Sequence, residues 1–208
     1  MDAIAIGVKA TTLTPFAYHS LMVQSGTATL PELLGDRAVA FGLAATLGML
    51  RASVVLPKKD YQGHMRVMPW RCSCFITDKP RLLPPLIRRL NLDEDGGYKR
   101  KIQNIAKKAN LGVFHQIQEV PYGQVFKGAI FGFDPFVDAE QLVIRVGLHR
   151  NGMVLLEKDL SVSQVRLNAA TAALFGRELS VERYCLHGLQ LSPWYSLNDA
   201  LNEVVQWL

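Results

Sequence analysis

Apolar and small residues alternate from Ala3 to Thr12, which predicts a first β-strand. The clearest helical pattern runs from Leu30 to Leu50, and its many small side chains predict close packing of this helix against a sheet. Met and Cys alternate around a tryptophan between Arg66 and Thr77, as is typical of a strand. A proline-rich break follows, and a short helix is predicted from Leu86 to Leu90.

The second half of the chain is predicted to be rich in strands. Two apolar stretches flank Asn151-Gly152, and an Asn-Gly pair in that setting predicts a β-hairpin. Ser161 is the expected N-cap of a helix that runs to Phe175 and ends at Gly176. A strand is predicted from Val181 to Leu186, and a closing helix from Leu197 to Leu208.

These elements predict one α+β domain over residues 1–208, in which helices pack on an antiparallel sheet. A basic insertion interrupts it at about residues 57–112. The chain has 49% apolar residues and a net charge of +5. Between Lys79 and Lys108, nine basic residues accompany three acidic ones, so this window carries +6 and the rest of the chain −1. Such a concentration of positive charge attracts polyanions, of which nucleic acid is the commonest.

The sequence lacks several motifs, and we base our expectations about compartment, metal and cofactor on their absence. The first twelve residues do not have the charged start and apolar core of a secretion signal. The longest apolar run, 38–50, is shorter than the ~20 residues that cross a bilayer. The three cysteines fit a reducing cytosol, and Cys72 and Cys74 have no second ligand pair at zinc spacing. We therefore expect a cytoplasmic protein with no membrane contact, no metal and no cofactor.

The segment Tyr98 to Asn110 predicts a helix with one dry face and one cationic face. A cationic face of this kind binds phosphates without reading sequence. A solvated surface helix is the alternative, although such helices usually mix both signs of charge. The predicted phosphate contacts are Lys99, Arg100, Lys101, Lys107 and Lys108.

A second basic stretch, 58–71, interleaves cations with aromatic residues. This combination suits single-stranded RNA, because a base stacks on a ring while a cation holds the phosphate. The alternative is that Trp70 is a core residue of a strand and that Tyr61 covers a loop. Arg37 is a further candidate, since the start of a helix favours phosphate. The predicted contacts in this stretch are Lys58, Lys59, Tyr61, His64, Arg66, Trp70 and Arg71, with Tyr61 and Trp70 as the stacking residues.

Two other functions remain open from the residues alone. A metal-independent endoribonuclease needs a base, an acid and a cation, which His64, Tyr61 and Lys58 or Lys59 would supply. A protein-assembly module would instead use the basic insertion to meet an acidic partner. No phosphate-binding loop of the Walker type and no Gly-x-Ser-x-Gly motif occurs. We expect a binding protein and not an enzyme.

The block TLPELLGDRAVAFGLAATLGML, from Thr29 to Leu50, resembles the N-terminal region of RAMP-superfamily subunits of CRISPR effector complexes. The likeness is to the Cas-five family, which holds the 5′ handle of the guide RNA, in its type IV form, with the type I-D form second. It covers about 22 residues as sequence and the whole chain as the order of helix, basic insertion and strand-rich second half.

The resemblance implies an RRM-like (ferredoxin-like) fold, with the insertion as a thumb or finger that clamps RNA. It also implies the partners: crRNA, repeated backbone subunits, a large or small effector subunit, and target DNA nearby. Such complexes serve antiviral defence and leave sequence reading to base pairing. The family implies a non-catalytic role for this chain, although one branch processes precursor crRNA.

Overall fold

The computed structural model describes residues 3–17, 20–23, 26–48, 60–91, 112–147 and 152–208. Its main sheet is built from β1 (Ile4–Thr12), β4 (Leu33–Leu34), β5 (Trp70–Cys72), β6 (Phe75–Ile76), β9 (Val125–Gly132), β10 (Gln141–Val146) and β11 (Gly152–Lys158). The strand order is β10-β11-β1-β9-β6-β4, with β5 also paired to β9, and the sheet curls into a half-barrel. Every pairing in this sheet is antiparallel.

The predicted α+β, RRM-like (ferredoxin-like) fold is wrong. The structure is mostly antiparallel β-sheet, and its main sheet curls into a half-barrel. Three predicted helices differ from the structure: the helix predicted from Leu30 begins only at Asp36, and Leu33 and Leu34 form strand β4. Residues 86–90, predicted as a helix, belong to strand β7 (Leu86–Asn91), and the predicted helix from Ser161 begins instead with strand β12 (Gln164–Asn168).

Helix α1 (Asp36–Thr46) packs on one face of the main sheet, along the edge strand β10. A Cβ atom at Gly42 would lie 3.1 Å from the Ile144 side chain, so the small residue permits this close approach. The Thr46 hydroxyl donates to the Val143 carbonyl at 2.9 Å, which satisfies an acceptor of the edge strand. The prediction that small residues bring this helix close to a sheet is confirmed.

The predicted hairpin is confirmed in its pairing, since β10 and β11 run antiparallel, but Gly152 belongs to β11 opposite Val146 and is not a turn residue. The first strand is confirmed as β1. Gly176 ends a short helical stretch in the left-handed conformation, with φ at 74°, as the sequence predicted. The closing helix is also present, as α4 (Leu197–Val204) followed by a turn of 3₁₀ helix.

A second, three-stranded sheet follows the main sheet in the chain. It adds β13 (Arg183–Leu186) and β14 (Leu189–Ser196) to β12, in the order β12-β14-β13. Helix α3 (Ala169–Ala172) follows β12 directly. The link between β5 and β6 joins the two sheets. The Ser73 N–H donates to the Ala129 carbonyl of β9, and the Cys74 N–H donates to the Arg166 carbonyl of β12.

A four-stranded sheet combines β7 with β2 (Ser20–Val23), β3 (Gly26–Thr29) and β8 (Gly112–Gln118). Its order is β2-β3-β8-β7. β7 and β8 are antiparallel, and Asn91 at the end of β7 pairs with Gly112 at the start of β8. Within the predicted insertion at 57–112, helix α2 (Tyr61–Arg66) precedes β5 and β6, which belong to the main sheet.

The apolar core is divided by the main sheet. One cluster lies between the sheet and α1, and it includes Val39, Leu43, Phe126 and Ile144. A second lies on the opposite side, where α4 covers β9 and β12. Among the helices of the described residues, none has the length and apolarity needed to cross a membrane.

Candidate nucleic-acid interface

A groove with a volume of about 630 Å³ lies where the main sheet meets the three-stranded sheet. Its lining comes from four parts of the chain that are far apart in sequence: the end of β6 with the segment after it, the start of β9, the loop before β12, and β14. The lining residues are Ile76, Thr77, Asp78, Lys79, Arg81, Gly123, Gln124, Val125, Lys127, Ser161, Val162, Ser163, Gln164 and Trp194.

Positive charge dominates the groove. Lys79, Arg81 and Lys127 line it together with a single carboxylate, Asp78. The side chains of Lys79 and Arg81 are exposed, and neither forms an ion pair with another described residue. Their charge therefore remains available to a bound anion.

Lys127 is the compensated cation of the groove. Its ammonium lies 3.1 Å from a carboxylate oxygen of Asp159 and donates to the Ser161 hydroxyl at 2.7 Å. Hydrogen bonds from Ser161, and after them the contact with Lys127, lower the pKa of Asp159 to about 2. Asp159 therefore stays ionised at neutral pH, and Lys127 adds less to the field of the groove than the other two cations.

Trp194 supplies the aromatic surface of the groove. Its side chain is 49% exposed, an unusual state for so large an apolar ring. Arg166 lies opposite it on β12, with its guanidinium carbon 5.5 Å from the ring centroid. Trp194 lines the groove and Arg166 does not. The ring therefore contacts the groove as well as the arginine.

Arg166 itself is held in place by other groups. Its Nε donates to the Ser192 carbonyl at 2.6 Å. Its Nη2 lies 2.8 Å from Glu182 Oε1, which is ion-pair distance, although the hydrogens of that nitrogen do not point along a hydrogen bond. The contact is therefore electrostatic. The arginine beside Trp194 is therefore fixed before any ligand arrives.

Trp70 and Arg71 were predicted to contact RNA, and the structure places both in the core instead. Trp70 is 2% exposed and its indole N–H donates to the Ala40 carbonyl at 3.3 Å. Arg71 is 1% exposed, donates to the carbonyls of Met68, Trp70 and Trp207, and lies 4.6 Å from the Phe175 ring centroid. Strand β5 is covered on both faces, so neither side chain reaches solvent.

The other described candidates lie apart from the groove. Arg37 donates to the Thr171 hydroxyl and the Ala170 carbonyl, both at 2.9 Å, so its guanidinium holds α1 against α3. The half-buried ring of His64 packs edge-on against Phe41, with centroids 6.2 Å apart. Arg66 is exposed at the end of α2, and Tyr61 begins that helix.

The remaining predicted contacts lie outside the described residues. They are Lys58, Lys59, Lys99, Arg100, Lys101, Lys107 and Lys108. Among the residues that the structure does describe, no three His, Cys, Asp or Glu side chains form a group that could hold a metal ion.

Sequence reasoning missed Gln124, Lys127 and Trp194 as site residues. Lys79 and Arg81 belong to the basic window that it identified, but they were not among the named contacts. Lys127 is the single charged residue of β9, and it is exposed between the buried residues Phe126 and Gly128. No local signal places Trp194 beside these cations, because the two sheets bring them together. No protein-family model matches the chain, and no curated protein matches it.

Proposed function

We propose that this chain is a non-catalytic guide-RNA-binding subunit of a CRISPR ribonucleoprotein, and that the groove between the two sheets holds a single strand of that RNA. The observation that carries the proposal is the groove itself. It combines an exposed tryptophan with two cations that have no acidic partner among the described residues. Trp194 takes an unpaired base, while Lys79 and Arg81 take phosphates.

The chemistry of the groove favours a single strand over a duplex. A base inside a duplex has both faces stacked on its neighbours, so it offers no face to a tryptophan. An unpaired base stacks on an aromatic ring whatever its identity, and nearby cations hold the backbone. A volume of about 630 Å³ also exceeds what one small anion fills. The groove therefore suits a nucleotide with its neighbouring phosphates.

The assignment to a CRISPR complex is supported by the likeness of residues 29–50 to the Cas-five family. In this proposal the chain caps the 5′ handle of the crRNA in a type IV-like complex in the cytoplasm. It contacts the repeated backbone subunits and a large or small subunit, with target DNA nearby.

The proposal is tested by fluorescence anisotropy of the purified chain with a labelled guide-repeat RNA across a salt series. The same RNA in duplex form and a scrambled single strand are measured beside it. We expect the single strand to bind more tightly than the duplex. The double variant Lys79→Gln with Arg81→Gln should weaken binding and lower the salt slope by about 0.7 for each phosphate that the variant no longer neutralises.

A matched control removes two positive charges elsewhere. Arg145 lies on the edge strand β10 and Lys158 ends β11, and neither lines the groove. The double variant Arg145→Gln with Lys158→Gln should retain most of the affinity. Equal losses in the two double variants would show that net charge alone attracts RNA. Absence of binding by the unmodified chain, with capture of an acidic partner subunit instead, would favour the assembly function.

A further inference from the structure

We propose that Gln124 is the positioning residue of the groove, and that it holds Arg81 and the backbone at Lys79 in the geometry that receives RNA phosphates. This inference rests on the proposed function, because it assigns Gln124 a role in the same site. Gln124 is 3% exposed, and its position at the groove lining puts its amide behind the two cations.

The side-chain amide of Gln124 makes three hydrogen bonds to one segment of five residues. Its nitrogen donates to the Thr77 hydroxyl at 2.8 Å and to the Lys79 carbonyl at 2.9 Å. Its oxygen accepts from Arg81 Nε at 3.2 Å. Both amide hydrogens and the oxygen are therefore in use. The segment 77–81 is tied to one side chain at three points.

The backbone of Gln124 is itself anchored to the main sheet. Its N–H donates to the Thr12 hydroxyl at 2.8 Å, and its carbonyl accepts from the Thr12 N–H at 3.0 Å. That hydroxyl donates in turn to the Pro121 carbonyl at 2.8 Å. Gly123 completes the turn with φ at 72°, a conformation that side chains disfavour. Gln124 thus projects its amide from the turn before β9, which these hydrogen bonds hold against the end of β1.

The hydrogen bond to Nε leaves the two terminal nitrogens of Arg81 for a ligand. An exposed arginine normally samples many rotamers, and a ligand must restrict them at a cost in affinity. Gln124 removes part of that freedom in advance, since it fixes the guanidinium at its inner edge. The fold itself does not require an ordered arginine at an exposed position. The interaction between Gln124 and Arg81 therefore favours the binding of an anion.

Glutamine is the residue type that the arrangement demands. Glutamate would lose both donors, so the Lys79 carbonyl would face a carboxylate, and its charge would neutralise Arg81. Methionine has similar length and removes all three hydrogen bonds without adding charge. The two substitutions therefore separate the loss of position from the loss of positive charge.

The test is a double-mutant cycle on RNA affinity, with Gln124→Met, Arg81→Ala and the two combined. The probe is the labelled single-stranded guide-repeat RNA across the same salt series. We expect Gln124→Met to weaken binding about fivefold, the typical value of one net hydrogen bond. It should lower the salt slope as Arg81→Ala does. It should add little in the Arg81→Ala background, because both substitutions disrupt the same interaction with phosphate.

Gln124→Glu should weaken binding at least as much, and Gln124→Asn, which is too short to reach the segment, provides a second neutral variant if methionine impairs folding. Gln141→Met is the matched control. Gln141 is exposed, donates to Glu157 at 2.8 Å and does not line the groove, so its removal should leave the affinity unchanged.

Additive losses in the cycle would overturn the inference, and so would a lower melting temperature with unchanged affinity and salt slope. The first result would show that Gln124 does not act through Arg81, and the second would make Gln124 a stability residue alone. A different result separates the two proposals: if Arg81→Ala leaves RNA binding unchanged, the groove is not the RNA site and the proposed function fails first. Weaker binding for Arg81→Ala with full affinity for Gln124→Met would reject only the role of Gln124.

Discussion

Two tryptophan–arginine pairs in the described part of the chain have opposite surroundings. Trp70 and Arg71 lie in β5, where α1 covers one face and the C-terminal helix turn covers the other. Trp194 and Arg166 lie opposite each other on β14 and β12, where the ring borders a groove. Their residue types are the same. Only the first pair was singled out by its sequence, and only the second has a ring that faces solvent.

The difference shows what each arginine is for. Three main-chain carbonyls accept from Arg71, so its guanidinium ties β5 to the end of the chain. Burial lowers its pKa from the ordinary value, which is the signature of a desolvated cation. Arg166 supports a ring that remains available to a ligand. A cation beside an aromatic residue indicates a nucleic-acid contact only where the ring has an open face.

The largest expected effect comes from removing the buried ring. Trp70→Ala should lower the free energy of unfolding by about 3–5 kcal/mol, because it leaves a cavity between β5 and α1. Urea unfolding followed by circular dichroism measures the loss. Trp194→Ala is the matched control and should cost far less, since its ring is 49% exposed. Similar losses in the two variants would contradict the comparison.

The second expected effect concerns RNA affinity, for which Trp194 should matter more than Trp70. Trp194→Ala should weaken binding of single-stranded RNA by about 1–3 kcal/mol, the range for one stacked base. Trp194→Phe keeps an aromatic face and should restore most of the affinity. Anisotropy with the labelled guide-repeat RNA measures both. If the phenylalanine variant binds as weakly as the alanine variant, stacking is not the role of this residue.

The smallest expected effect concerns acid stability at the rim of the groove. The pKa of Asp159 is about 2 in the folded chain, against an ordinary value of 3.8. Between these values the unfolded chain binds the additional proton, so the free energy of unfolding should fall as the pH is lowered from about 4 to about 2. Arg71 is held by carbonyl groups, which do not titrate in this range. The Trp70–Arg71 pair therefore contributes no loss of stability at acid pH.

Urea unfolding at a series of acid pH values measures this dependence. Asp159→Asn should flatten it, because the variant has no carboxylate to protonate. Asp138→Asn removes one exposed carboxylate from the loop before β10 and serves as the control for charge. An equal pH dependence in the unmodified chain and in Asp159→Asn would show that Lys127 and Ser161 do not stabilise the carboxylate.

Local patterns were sufficient for several elements of the fold. The alternation in residues 3–12, the Asn-Gly pair at 151–152 and the stop at Gly176 each depend on backbone preferences of a few neighbouring residues. The same patterns were wrong for residues 86–90 and for the start of the stretch after Ser161. An apolar run after a proline-rich break fits either a strand or a helix, and pairing with β8 or β14 decides between them.

The sequence by itself determined that an excess of positive charge lies between Lys79 and Lys108, and it predicted a polyanion as the partner of this charge. Only the tertiary structure decided which aromatic residue is open to such a partner. Trp70 is buried because two helical elements cover β5, whereas Trp194 lies on β14 at the groove between the two sheets and is 49% exposed. Lys79, Gln124, Ser161 and Trp194 meet although up to 115 positions separate them in the chain. Side-chain chemistry is local to a residue, but the solvent exposure that makes it functional depends on contacts between distant segments.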